Sequence, residues 1–344
     1  PSVPSRAMAR KMRMSPQSIE FCRFCEGQTN LYEDHAVSLI FMQQCLAHFA
    51  PRVKKLRGRS VLNWRATVLA IGKIVVTLAV MLGAMHFFRL QVLPQIQIAV
   101  ELDDTATSAV RRAGILLVVI LAYWVSVRVL ERRAVDELRF EPAGIMWGAL
   151  SGAVLISIVT LSLFAAGIYE VTAVRGLQSG LLGVAGLIVV AAILEEVAFR
   201  GVIFLMLERA WGTLPAMGIQ SLLFALQHLD NVEGAGLVAS LTTLVSGTLV
   251  GAFWTLVIVH TRNLWIVGAN HAAWNFAIIL TGLPLSGLES WRELAPFESR
   301  YNGPDWLTGG AFGPEDSVLT IGLMVVCLAV LYREARKRKR TIEV

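Results

Sequence analysis

Long apolar stretches alternate with short polar segments along most of the chain. A membrane-crossing helix needs ~20 mostly apolar residues. Eight stretches approach that length: 66–88, 113–129, 143–168, 181–207, 213–229, 237–259, 264–280 and 318–332. The pattern predicts an all-α polytopic integral membrane protein with about eight transmembrane helices. Gly148, Gly152, Gly247 and Gly251 fall at spacings that let helix backbones approach closely in lipid. Basic residues crowd the segments before the first stretch (Arg52 to Arg65), after the second (Arg128 to Arg139) and after the last (Arg333 to Arg340). Arg209 and Arg262 fall in later loops on that side. The positive-inside rule therefore places both termini in the cytoplasm, which an even number of spans allows. The 282–316 loop would lie outside, where Trp291, Trp306 and its acidic residues suit an interfacial cap.

Residues 1–62 break this pattern, being polar and poorly periodic. Cys22 and Cys25 form a lone CxxC, with His35 and Cys45 further on, and the second tight pair expected of a zinc knuckle is missing. A loosely ordered cytoplasmic extension is expected there. The membrane domain would follow at 63–332, with a basic cytoplasmic tail at 333–344. The first apolar stretch is too long and too far from the start for a cleavable signal peptide.

Composition narrows the function classes. Hydrophobic residues make up 55% of the 344 and charged residues 16%, with a mean hydropathy of +0.61. Soluble domains carry about a quarter charged residues, so an ordinary cytosolic enzyme is excluded, and so is disorder. Four cysteines do not make a disulfide scaffold. The net charge of +6 follows from the basic loop ends and implies no nucleic-acid partner. Abundant Ala, Leu, Val, Gly and Arg suggest a bacterial cytoplasmic membrane.

Polar groups inside apolar spans are costly and mark function by default. The fourth stretch runs into Glu195 and Glu196, followed by Arg200. Glu196 and Arg200 are four apart, so they share a helix face and can pair. Glu195 points about 100° away, with no cation one turn along. One carboxylate is thus neutralised locally and the other is left for another task. The fifth stretch ends in Phe224-Ala-Leu-Gln-His228, and the seventh holds His271 and Asn275, again four apart. Glu195 and His228 are equidistant from a turn at Trp211 and Gly212, each roughly 25 Å from it at helical rise. In an antiparallel hairpin they would lie at one depth. His86 has no polar neighbour in sequence and reads as a packing or interfacial residue. A carboxylate among aliphatic side chains is a candidate general base, and an imidazole beside it can hold the same water. A second imidazole and an amide can donate hydrogen bonds to a developing oxyanion. Glu195, His228, His271 and Asn275 would together suffice for attack of water on an amide.

These residues resemble a known family. EEVAFRG at 195–201, FALQH at 224–228 and HAAWN at 271–275 are similar to the EExxxR, FxxxH and HxxxN motifs of the CAAX protease and bacteriocin-processing (CPBP) family of intramembrane endopeptidases. They occur in the family's order, over a core of about 143–281. The resemblance implies an all-α membrane fold and glutamic-type proteolysis without a cofactor. Glu195 would be the catalytic carboxylate acting with His228, and His271 and Asn275 the oxyanion site. Glu196, Arg200 and Phe224 would support them. The implied partners are the lipid bilayer and a membrane-embedded or lipid-modified protein or peptide substrate. Three rivals stay open. Glu195, His228 and His271 could ligate zinc, although no HExxH helix is present. The protein could be a non-proteolytic membrane scaffold or immunity factor. It could also be a proton-coupled transporter, although inverted repeats and broken helices are not evident.

Overall fold

A computed structural model describes residues 64–343 apart from Ser290. The 1–62 extension, with Cys22, Cys25, His35 and Cys45, thus lies outside the described residues. Each helix begins and ends where the sequence supplies the chemistry. Helix α1, Trp64–Phe87, continues through a wide turn to Val100 and stops at Glu101 in the left-handed conformation. Helix α2, Asp104–Ser126, is capped by Asp103, whose carboxylate accepts from Ala106 N at 2.7 Å. Helix α3, Pro142–Ala165, starts on a proline, which costs nothing where the amide would have no partner.

Helix α4, Leu181–Glu196, runs on through a π-helical segment, Val197–Phe204, to Trp211. Gly212, at φ +79°, turns the chain into α5, Thr213–Leu226. Helix α6 spans Leu237–Thr261, and α7, Leu264–Leu280, is capped by Asn263. Helix α8, Val318–Lys337, starts at the Ser317 hydroxyl.

Among the described residues, six helices are long and apolar enough to cross a membrane by length and composition: α1, α2, α3, α4, α6 and α8 with their continuations. The other two expected spans, α5 and α7, are shorter, at 14 and 17 residues. Large apolar side chains stay exposed along the outward faces of α1, α2, α3 and α8, among them Leu69, Leu121, Leu161 and Val326. Such a belt is a liability in water and the expected surface in lipid. Gly148 and Gly152 bring α3 against α7 so closely that an added Cβ would stand 2.5 Å from Ile266 O and 2.0 Å from Asn270 O respectively. Gly247 and Gly251 bring α6 against α5 at Ala225 and Ser221.

The described residues depart from an all-α reading in a two-stranded sheet. Strands β1, Tyr169–Val174, and β2, Phe297–Tyr301, pair antiparallel, with Tyr169 opposite Tyr301. The pairing joins segments some 130 residues apart, which local periodicity cannot reveal. Helix α8 carries on to Lys337, and the chain returns so that Ile342 O accepts from Thr213 N at 2.9 Å. Arg262 meets Glu208 at 2.5 Å, and Glu131 bridges Arg133 and Arg209. Arg133, Arg209, Arg262 and the returning tail are thus tied to one another's helix ends.

Candidate active site

The π-helical segment follows Glu196 directly, and all eight of its residues are buried. π-Helical insertions often accompany functional sites because they re-aim neighbouring side chains. Here Arg200 still reaches back one turn, donating to Glu196 Oε1 at 3.0 Å. Its other terminal nitrogen donates to Gly251 O of α6 at 2.9 Å. The guanidinium lies 4.6 Å from the ring centroid of Phe224 and 5.5 Å from that of Trp254. Both charges of the Glu196–Arg200 pair are fully buried. Breaking such a pair strands an uncompensated charge.

Helix α7 supplies the next member. His271 Nδ1 lies 2.9 Å from Glu196 Oε1, so Glu196 is shared between Arg200 and His271. The carboxylate can only accept, hence Nδ1 carries the hydrogen. His271 Nε2 then faces Glu195, 3.9 Å from its Oε2. The imidazole stacks on Trp254, with centroids 3.7 Å apart at 25°. Trp254 is itself fixed, because its indole N–H donates to Asn270 Oδ1 at 2.9 Å. Asn270 Nδ2 in turn donates to Gly148 O and Ser151 Oγ of α3. The ring of His271 is therefore held from below by a chain of contacts running into α3.

The two adjacent carboxylates have different surroundings. The Glu196 side chain is 0% exposed and bonded twice through one oxygen, while the Glu195 side chain is 31% exposed. Glu195 has no hydrogen-bond partner among the described residues.

His228 sits just past the end of α5, in the turn before Leu229–Val232, and not within a span as expected. Its Nδ1 lies 2.8 Å from Phe224 O. A carbonyl can only accept, so Nδ1 donates and Nε2 keeps its lone pair. Phe224 connects the cluster, its ring lying 4.7 Å from His228, 6.3 Å from His271 and 5.3 Å from Phe199. The Phe199–Phe224 contact is centred on the Trp211–Gly212 turn, as the expected Glu195–His228 level was. Even so, no hydrogen bond joins Glu195 to His228. The wide coil after Glu196 advances less per residue, and α5 stops at Leu226, so equal residue counts do not give equal lengths. Asn275 Oδ1 is buried with no hydrogen-bond partner.

Among the described residues no group of three His, Cys, Asp or Glu converges as a metal-ligand set. Both histidines spend Nδ1 on protein acceptors, leaving one nitrogen each. Trp254, Asn270 and the Gly251 carbonyl are parts of the site that sequence spacing did not flag. Asn270, a further amide in an apolar stretch beside His271, was the one available signal.

His86, whose Nδ1 meets Leu82 O on an exposed face of α1, takes no part. No curated protein and no solved structure matches the chain. Residues 176–277, which hold every motif residue named above, match the family described as Type II CAAX prenyl endopeptidase Rce1-like.

Proposed function

We propose that the protein is an intramembrane endopeptidase of glutamic type that hydrolyses a peptide bond in a membrane-embedded or lipid-modified substrate. The observation that carries this reading is the division of labour between adjacent carboxylates. Glu196 is buried and locked by Arg200 and His271, and Glu195 is left partly open beside the same imidazole. In this reading Glu195 and the free Nε2 of His228 take a proton from water as its oxygen attacks the scissile carbonyl carbon. Asn275 and His271 receive the oxyanion of the tetrahedral intermediate. Because His271 Nδ1 donates to Glu196, its Nε2 can donate only as the imidazolium. Glu195, Glu196, Arg200 and that imidazolium then form a set with no net charge, which suits a site shielded from water. Collapse of the intermediate breaks the C–N bond, and the proton held by Glu195 or His228 passes to the leaving amine. We also assign α5 and α7 to the membrane, giving eight embedded helices with both termini cytoplasmic, in a bacterial cytoplasmic membrane. The reading uses no cofactor.

The test uses the purified full chain in detergent. The probes are a mixed membrane-peptide library and a peptide ending in farnesyl-cysteine followed by three further residues. Wild type is compared with Glu195→Gln and His228→Ala, with and without a strong chelator. Cleavage lost in both variants and kept under chelation supports the proposal. Cleavage lost on chelation and restored by zinc replaces it with the metal reading. No cleavage of either probe by wild type favours a non-proteolytic scaffold.

A further inference from the structure

The 282–316 segment is built against the site and not merely above it. Glu315 and Asp316, at its end, are 5% and 3% exposed. Burying two adjacent carboxyls is costly unless each is fully bonded. Glu315 Oε1 accepts from the Trp274 indole N–H at 3.1 Å, and Oε2 from the Ser286 hydroxyl at 2.5 Å. Trp274 stands between His271 and Asn275 on α7 and makes an edge contact with Trp254. Asp316 accepts from Thr243 Oγ1 at 2.5 Å and from Ser246 Oγ, both on α6.

The same segment reaches His228 from another side. Phe312 is buried, and its ring meets the His228 ring edge-on, with centroids 6.2 Å apart at 76°. Phe224 also packs on that imidazole, at 4.7 Å, so His228 has an aromatic neighbour from each of two elements. The backbone around Phe312 is tightly specified. Phe312 O accepts from Gly287 N at 2.9 Å, and Ser286 O accepts from Asn231 Nδ2 at 2.8 Å. Gly287, at φ +82°, has no room for a side chain, since a Cβ there would stand 2.7 Å from Asn231 O. Asn231 follows His228 by three residues. One segment therefore touches the turn that carries His228, the helix that carries His271 and Asn275, and the helix that carries Trp254.

We propose that Phe312 and Glu315 are positioning residues of the active site, Phe312 setting the orientation of the His228 ring and Glu315, through Trp274, that of the turn of α7 bearing His271 and Asn275. This rests on the proteolytic reading of the site for its consequence on rate, but the placement of His228 can be measured without any substrate. A segment that only covers the bundle would affect stability when altered. A positioning segment affects turnover in a protein that is still folded.

The experiment uses the full chain in detergent with the farnesyl-cysteine peptide as probe. Phe312→Ala and Glu315→Leu should lower kcat roughly tenfold or more, with KM within about twofold of wild type, because small displacements at a reacting centre act on turnover. Glu315→Gln should restore most of that loss, since its amide can still accept from Trp274 and can donate to Ser286. Phe312→Leu, which keeps the bulk and removes the ring, serves if Phe312→Ala does not fold. In parallel, isotope-labelled histidine resonances are followed by NMR. The His228 ring signals should move in Phe312→Ala, and those of His86 and His260 should not. Wild-type kcat in both Phe312→Ala and Glu315→Leu, or His228 signals unchanged in a folded Phe312 variant, overturns the proposal. If wild type cleaves nothing, the proteolytic reading fails and the His228 resonances alone decide the positioning.

Discussion

Gly152→Ala is the sharpest test of how the bundle holds its site. The added Cβ would stand 2.0 Å from Asn270 O and 2.8 Å from Asn270 C, both backbone atoms that cannot rotate away. Ordinary contact begins at 3.4 Å, so α3 and α7 must separate by ~1.4 Å at this point in a close-packed interior. Overpacking of this kind costs ~1–3 kcal/mol of stability. The displaced residue also precedes His271 and holds Trp254, on which the His271 ring stacks. A misplacement near 1 Å at a reacting centre costs on the order of a hundredfold in rate. Gly218→Ala is the control. It lies on α5 with no heavy atom within 4 Å, so it should be neutral or stabilising by up to ~1 kcal/mol. The assay is thermal unfolding of both variants in one detergent, with cleavage of the farnesyl-cysteine peptide measured on the same samples. Gly152→Ala should unfold earlier and turn over more slowly, with the Gly218 variant at or above wild type. Equal midpoints for Gly152→Ala and wild type would refute the claim that this contact sets the position of α7.

Glu196→Leu should be much harder to fold than Glu195→Gln, because it strands the buried Arg200 guanidinium at a cost of ~3–5 kcal/mol. Comparable expression and thermal midpoints for the two would argue against that assignment. Burial, helped by the neighbouring Glu315, pushes the Asp316 carboxyl up from 3.8 to about 7, against the opposing pull of the Ser246 and Thr243 hydroxyls. The folded state therefore holds this proton more tightly than the unfolded chain. Its contribution to stability is present below 3.8 and lost as the pH rises through about 7. Wild type should lose stability across that window relative to Asp316→Asn, and parallel pH profiles for the two would count against it.

The sequence by itself marked the apolar helices and six candidate residues of the site. Runs of apolar side chains can satisfy their backbone in lipid only as helices, so α1 to α8 were legible from composition along the chain. Glu195, Glu196, Arg200, His228, His271 and Asn275 stood out because charge and polarity are costly in such runs. The i,i+4 bond between Glu196 and Arg200 was equally local and could be read from helix geometry. What spacing could not supply was anything that depended on two distant segments meeting. The hydrogen bond from His271 to Glu196, the Trp254–Asn270 platform, and the pairing of β1 with β2 each join segments brought together only by packing. The π-helical turn after Glu196 and the early end of α5 likewise broke the uniform rise on which the expected depth of His228 rested. The tertiary structure alone decided that His271 completes the lock on Glu196 and faces the open Glu195, because a helix periodicity gives directions for side chains but not the partners waiting there.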